Sequence, residues 1–197
     1  MANRKQLAEK ILRELYVDKS MQEMADLLHC SLHKIAYWMG KYNIPIRSRS
    51  ETMYKKHNPG GDPFVFVAPK NLEEAKLFGL GLGLYWGEGT KANLNSIRLG
   101  NTDPKLIKKF SEFLVKFFGI DKNDLRFGLQ IFSDLDANAA LDFWLAALKI
   151  RKAQVGKVIV TKSGSLGTYR KKSPYGVMTV MYHNVKLRKL LGAMLPM

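Results

Sequence analysis

Residues 71–88 contain four glycines, at positions 79, 81, 83 and 87, inside a segment that otherwise predicts one continuous helix. A glycine in a helix interior costs about 1 kcal/mol relative to alanine, so this segment needs a compensating contact. Gly79, Gly83 and Gly87 follow one another at intervals of four residues and therefore share one face. Small residues on one face let a second helix approach backbone to backbone. We therefore predict a buried helix that packs against the same helix of a second copy of the chain.

Glu88 closes the predicted helix immediately before Gly89. A carboxylate at the C-terminal end of a helix is unfavourable because that end already carries partial negative charge. A bound cation would offset this cost. Twin helices in contact along their glycines would bring two copies of Glu88 together, and paired carboxylates facing a phosphodiester bind Mg²⁺ for hydrolysis. Glu88 is therefore the predicted metal ligand and catalytic carboxylate; the alternative is a solvent-exposed glutamate in a turn.

The net charge of +15 favours a polyanionic partner, and the release of condensed counterions makes nucleic acid the natural candidate. Residues 151–197 concentrate this charge, since they hold ten lysines and arginines and no acidic residue. An anionic membrane is the competing partner. However, no apolar run reaches the roughly 18 residues of a membrane span, and no signal peptide opens the sequence. We expect a cytoplasmic or nucleoid protein with neither a membrane nor a small-molecule substrate as partner.

Cysteine and histidine usage excludes other kinds of site. Cys30 is the only cysteine, so the chain forms no internal disulfide and no cysteine-based zinc site. The four histidines do not follow a metal-ligand spacing.

Residues 1–57 contain three short helical patterns separated by capping residues. Ser20 and Glu23 predict a capping box at the second helix, and Ser31 predicts the N-cap of the third. Two short helices joined by a three-residue turn follow the helix-turn-helix plan, although any small three-helix bundle would share this periodicity. The outer face of the third helix favours DNA recognition because it carries hydrogen-bonding groups and no acid near its N-terminus. These candidate DNA contacts are Ser31, His33, Lys34 and Tyr37.

Residues 21–51 also resemble the helix-turn-helix segment ending in W-x-x-K-Y-x-I-P-x-R-S-R-S-E that occurs in many phage and mobile-element proteins. Because proline disfavours helix before it, Pro45 predicts an extended arm over residues 47–50. Arg47 and Arg49 on this arm suit phosphate or minor-groove contacts; the alternative is plain linker charge. Residues 58–70 hold three prolines and a Gly-Gly pair and predict a linker, whose apolar residues 64–67 are expected to dock on the next domain.

The rest of the chain mixes strand and helix patterns, which predicts an α+β second domain over residues 71–197. Alternating apolar residues predict strands at 95–101, 125–132, 157–161 and 175–182. Amphipathic patterns predict helices at 104–118, 136–149 and 184–194. The first of these has Asp103 as its cap, Pro104 at its first position and Gly119 as its stop.

Residues 81–89, Gly-Leu-Gly-Leu-Tyr-Trp-Gly-Glu-Gly, resemble the LAGLIDADG motif of homing endonucleases in the variant L-G-L-x-x-G-[DE]-G. Gly83 and Gly87 match its small packing positions, and Glu88 matches its metal-binding acid. Trp86 stands where the motif has its first aspartate, a position that is not the metal ligand. The segments NSIRLGNTDPKLIKKF and PYGVMTV also resemble single-motif members, so the resemblance covers roughly residues 75–194.

This resemblance implies a saddle-shaped antiparallel sheet in the DNA major groove and a homodimer that reads a nearly palindromic site. The implied dimer interface is Gly79, Leu80, Gly83, Leu84 and Gly87. The implied DNA contacts of the sheet are Arg98, Arg126, Gln130, Lys157 and Thr179. A basic loop would contact the DNA backbone through Lys162, Arg170, Lys171 and Lys172. Gln130 and either Lys157 or Lys162 are the catalytic candidates beside Glu88.

The sequence therefore predicts sequence-specific binding to double-stranded DNA and phosphodiester hydrolysis, dependent on Mg²⁺ or Mn²⁺, by a homodimeric homing-type endonuclease. A regulator that keeps the LAGLIDADG scaffold without cleavage is the first alternative. An RNA-binding, maturase-like protein is the second, although a helix-turn-helix favours duplex DNA.

Overall fold

The computed structural model describes residues 6–163 and 173–196. Over these residues the chain contains eight α-helices and one open, four-stranded mixed sheet, which confirms the α+β class. The chain divides into two compact units with a boundary between Pro63 and Phe64, inside the predicted linker 58–70.

The first unit consists of four helices. They are α1 (Glu9–Asp18), α2 (Met21–Leu27), α3 (Leu32–Lys41) and α4 (Arg49–His57). The capping box of Ser20 and Glu23 begins α2, and the Ser31 hydroxyl accepts the Lys34 N–H at the start of α3. The first three helices enclose a small core of Leu12, Met24, Ala25, Ile35, Trp38, Met39 and Ile44.

The predicted extended arm over residues 47–50 is wrong from Arg49 onward, since Ser48 is extended but Arg49 and Ser50 already belong to α4. Ser48 is the N-cap of α4 and forms a second capping box with Glu51, because the restriction that Pro45 imposes on the residue before it does not extend to Ser48. The guanidinium of Arg47 donates to the main-chain carbonyls of Tyr16 and Lys19 and lies 4.0 Å from the centre of the Tyr16 ring. The Arg47 side chain therefore forms contacts within the first unit and does not project from an arm.

The second unit alternates helices and strands. They are α5 (Leu72–Glu88), β1 (Ile97–Asn101), α6 (Pro104–Phe118), β2 (Arg126–Phe132), α7 (Ala137–Leu148), β3 (Ile159–Thr161), β4 (Val177–Tyr182) and α8 (Val185–Ala193). The predicted strands and helices are all present, with ends displaced by no more than two residues. Asp103 caps α6 by accepting the Lys105 N–H, and Gly119 ends it in the left-handed conformation with φ of 61°.

Residues 64–67 pack on this unit and bind the last carbonyls of α6. The N–H groups of Val65 and Val67 donate to the carbonyls of Phe118 and Phe117 at 3.1 and 2.8 Å. Phe66 lies against Phe118, with 5.6 Å between ring centres. The end of α6 thus receives main-chain hydrogen bonds that its own chain continuation does not supply.

The sheet has the strand order β1-β4-β2-β3. β4 pairs with β1 and with β2 in antiparallel fashion, whereas β2 and β3 are parallel. The predicted fully antiparallel sheet is therefore wrong at this edge. The physical reason is the connection, since α7 carries the chain across from β2 to β3 and returns it in the same direction.

The two faces of the sheet have different surroundings. Side chains on the inner face are buried against the core built by α5, α6, α7 and α8; they are Ile97, Leu99, Phe127, Leu129, Ile131, Met178, Val180 and Tyr182. Side chains on the opposite face are half-buried or exposed. Among the described elements, helices therefore cover one face of the sheet and leave the other open.

Candidate functional site

The exposed side of α5 carries the glycines that the sequence singles out. We call Gly79, Leu80, Gly83, Trp86 and Gly87 the α5 ridge. A Cβ added to any of the three glycines would have no neighbouring atom within 4 Å. Leu80 is 43% exposed and Trp86 is 56% exposed on the same side. Within the described chain, no packing contact therefore requires glycine at these three positions.

The opposite side of α5 faces the core. Gly81 and Tyr85 are buried there, and a Cβ on Gly81 would stand 2.2 Å from Cγ of Phe113. Leu84, which is also predicted to belong to the dimer interface, is half-buried and packs against the core. The sequence pattern did not separate these two sides, because the helix is apolar nearly all round.

Glu88 is exposed and is the last residue of α5. The next two residues follow the outer edge of β1, since Gly89 forms an antiparallel bridge with Leu99 and the Thr90 N–H donates to the Arg98 carbonyl at 2.9 Å. The helix end that carries the carboxylate is therefore fixed to the edge of the sheet beside Arg98.

Two cationic side chains lie at this end of α5. The Lys91 ammonium donates to the Trp86 carbonyl in the last turn. The guanidinium of Arg188, only 9% exposed, donates to the carbonyls of Lys91 and Asn93 at 2.9 and 3.3 Å. Positive charge at a helix C-terminus offsets the partial negative charge of its carbonyls. The position of Lys91 just after the helix is a local sequence signal for a contact with the last carbonyls of α5. Arg188 lies almost a hundred residues farther along the chain, and no local signal predicts its contact.

Tyr85 lies between these cations and the core. Its ring centre is 5.9 Å from the Lys91 ammonium, 5.8 Å from the Arg188 guanidinium and 5.9 Å from the Phe110 ring. Its hydroxyl is buried and has no hydrogen-bond partner among the described residues. Burial raises the pKa of Tyr85, and the nearby Arg188 charge partly opposes that rise.

The described residues of a single chain do not supply a complete metal site at Glu88. Residues 6–163 and 173–196 contain no group of three or more histidine, cysteine, aspartate or glutamate side chains that could hold an ion. Glu88 contributes one exposed carboxylate, which has the donor chemistry that Mg²⁺ and Mn²⁺ accept but not the ligand number.

Two of the other catalytic candidates, Gln130 and Lys157, lie away from Glu88 within one chain. Gln130 is exposed on β2 and its amide donates to the Thr161 hydroxyl at 3.1 Å. Lys157 is exposed in the segment leading into β3. Because β4 separates β2 from β1, two strand spacings of about 4.8 Å divide Gln130 from the edge beside Glu88, and Lys157 is farther still.

The open face of the sheet carries hydrogen-bonding cations and no acid. Arg98, Met181 and Arg126 stand side by side on β1, β4 and β2. The Arg98 Nε donates to the Ser96 hydroxyl at 2.9 Å, and an Arg126 amino group donates to the Asn123 carbonyl at 2.7 Å. None of the four strands contains an aspartate or glutamate. This face can therefore approach a polyanion without an opposing charge from the strands.

Apart from Arg47, the predicted DNA contacts of the first unit lie along α3 and at the start of α4. Ser31, His33 and Tyr37 are exposed and Lys34 is half-buried, although the Ser31 hydroxyl also serves as the α3 cap. Arg49 is exposed at the first position of α4. In the basic loop, Lys162 is exposed, whereas Arg170, Lys171 and Lys172 lie outside the described residues.

Comparison of the chain with protein-family models, curated proteins and solved structures finds no match. Across the part of the chain that the structure describes, every helix is too short or too polar to cross a membrane.

Proposed function

We propose that the chain is a sequence-specific binder of double-stranded DNA. The observation that carries this proposal is the open sheet face, which presents Arg98, Arg126 and Gln130 and no acidic side chain from its strands. Arginine and glutamine are the side chains that donate to phosphates and to base edges in the major groove. The net charge of +15 supplies the long-range attraction that such binding needs.

The first unit is proposed as a second DNA contact with helix-turn-helix character. Its support is the pair α2 and α3, joined by a short turn and packed on a shared core. His33 is exposed near the start of α3, where a recognition helix contacts bases, and Tyr37 is exposed about one turn farther along the helix. No acidic residue lies on α3 to oppose phosphate.

The proposed active form is a homodimer that associates through the α5 ridge. Three glycines there leave the backbone accessible, and the exposed Leu80 and Trp86 add apolar surface beside them. A second copy would cover this surface and would also bring a second Glu88. The dimer thus accounts for the ridge and doubles the carboxylates at its end.

Phosphodiester hydrolysis is the proposed activity, with Glu88 from each copy holding Mg²⁺ or Mn²⁺. The resemblance of residues 81–89 to the LAGLIDADG motif and the exposure of Glu88 support this assignment. Such an ion supplies Lewis-acid stabilisation of the phosphoryl oxygens. Lys91 and Arg188 hold the end of α5 that presents the carboxylate, and Arg98 lies beside it at the edge of the sheet.

The test begins with selection of bound duplexes from a random DNA pool by the full chain. A recurring, nearly palindromic site is expected, and recovery of unrelated sequences with equal affinity would refute specific binding. The selected duplex is then incubated with Mg²⁺ or Mn²⁺. We expect cleavage by the wild type, loss of cleavage with unchanged affinity in Glu88→Gln, and normal cleavage in Glu73→Gln, an exposed glutamate in the first turn of the same helix. Full activity of Glu88→Gln would refute the catalytic role.

The second candidate is a DNA-binding regulator without cleavage. Two observations favour it: the described residues hold no three-ligand metal group, and Gln130 lies two strands from the edge beside Glu88. For a regulator, the selected duplex stays intact with either metal, and the wild type and Glu88→Gln bind it equally.

A further inference from the structure

The central strand of the open sheet face presents methyl groups rather than charges. Val177, Thr179 and Met181 alternate outward along β4, and all three are half-buried. We call these three side chains the β4 methyl column. β4 is hydrogen-bonded on both sides, to β1 and to β2, so the column runs along the middle of the three strands.

The column can be reached by a flat ligand because glycines flank its centre. Thr179 pairs with Gly100 on one side and with Gly128 on the other. A Cβ on Gly100 would stand 2.8 Å from the Thr179 hydroxyl, and one on Gly128 would stand 3.3 Å from the Met181 methyl. The two residues paired with Thr179 on the neighbouring strands therefore have no side chain.

Polar and cationic side chains border the column on the adjoining rows. Met181 stands between Arg98 and Arg126, and Val177 pairs with Gln130. An apolar strip bordered by arginines and an amide complements a ligand with anionic margins and apolar groups at its centre. The major groove of thymine-containing DNA has this distribution, since the 5-methyl of thymine is the apolar group among its base edges.

We infer that the β4 methyl column reads the 5-methyl groups of thymines in duplex DNA. This inference rests on the proposed DNA-binding function and adds the chemical group that the sheet recognises. Thr179 is the specificity-determining residue, because it carries a methyl group at the centre of the column, where the paired positions of β1 and β2 are both glycine. Burial of one methyl group against the column corresponds to about a three- to fourfold change in affinity for each thymine.

The experiment replaces thymine by deoxyuridine, one position at a time, in the duplex selected by the full chain. This replacement removes the 5-methyl group and leaves base pairing unchanged. The wild type should bind about three- to fourfold more weakly when a contacted thymine is replaced. Thr179→Ser, which removes the threonine methyl, should no longer distinguish the two duplexes, whereas Thr179→Val, which keeps it, should. Thr102→Ser, at an exposed turn after β1, is the matched control and should behave as the wild type.

The outcomes separate this inference from the proposed function. Specific binding with no thymine in the selected site, or with no loss at any deoxyuridine, would overturn the inference and leave specific DNA binding intact. A loss that persists unchanged in Thr179→Ser would remove Thr179 as the reader. Equal binding of all duplexes, or preference for RNA of the same sequence, would overturn both.

Discussion

Replacing Gly83 by alanine should stabilise the folded chain, whereas replacing it by leucine should weaken the proposed dimer. An added Cβ at Gly83 would meet no atom of residues 6–163 and 173–196 within 4 Å, so the substitution has no steric cost within this part of the chain. Alanine is favoured over glycine in a helix interior by about 1 kcal/mol. For a chain of this size, a change of about 1 kcal/mol raises the midpoint of thermal unfolding by roughly 2–4 °C.

Gly81 provides the matched control on the same helix. A Cβ there would stand 2.2 Å from Cγ of the buried Phe113, whose ring lies within the core. Forcing extra volume into a packed core costs about 1–3 kcal/mol. The same glycine-to-alanine change should therefore lower the free energy of unfolding at Gly81 and raise it at Gly83.

The assay combines calorimetry with analytical ultracentrifugation. Because association also raises the unfolding midpoint, melting is measured at several dilutions and compared where the chain sediments as a monomer. Association is measured separately on Gly83→Leu, whose larger side chain would hold two ridges apart. We expect Gly83→Leu to sediment as a monomer at concentrations where the wild type is a dimer.

Two results would refute this reasoning. A lower midpoint for Gly83→Ala in the dilute, monomeric samples would mean that the ridge is covered within the chain. A wild type that remains monomeric, or a Gly83→Leu variant that dimerises normally, would remove the α5 ridge as the interface.

Three further predictions concern stability. Arg47→Ala loses two hydrogen bonds to main-chain carbonyls and should lower the free energy of unfolding of the first unit by about 2 kcal/mol, measured by urea denaturation. Gly176 has φ of +68°, and a Cβ there would stand 2.3 Å from a carbonyl oxygen of β2, so Gly176→Ala should destabilise the second unit by more than about 2 kcal/mol in the same assay. A hydrogen bond from the Lys70 N–H, and then the Lys116 ammonium, lower the pKa of Glu74. Its stabilisation should therefore be complete above the ordinary glutamate pKa of 4.5 and lost as the pH falls through the lowered value, so the difference in stability between wild type and Glu74→Gln should shrink in acid.

Helix ends and strand positions were predictable because their signals are local. Asp103, Pro104 and Gly119 begin and end α6 by hydrogen bonding and backbone preference within a few residues of each end. The capping box of Ser48 and Glu51 is an equally local signal for α4. The prediction of an extended arm gave more weight to Pro45 than to this box, which is why it was wrong.

Strand pairing and the neighbours of Glu88 depend on contacts between distant residues. The parallel pairing of β3 with β2 follows from the path of α7 between them, which alternation within a strand does not encode. Arg188 reaches the loop after Glu88 from α8, and a single sequence without such contacts gives no indication of it. Glu88 itself was predictable as a candidate because its motif is contiguous.

The glycines of the second unit separate into those that its own packing requires and those that it does not. Glycine at position 81 leaves room for the Phe113 ring, because an added Cβ would stand 2.2 Å from it. Glycine at position 89 leaves room for the Tyr85 ring, which would be 2.3 Å from an added Cβ. A Cβ on any glycine of the α5 ridge would have no neighbour within 4 Å in the described chain. Each of these glycines nevertheless lowers helix stability by about 1 kcal/mol relative to alanine. Internal packing among the described residues thus explains the first group and does not explain the second, which the proposed dimer would cover. Because that ridge ends next to Glu88, a second copy bound along it would also decide whether one or two carboxylates stand at the proposed DNA-binding surface.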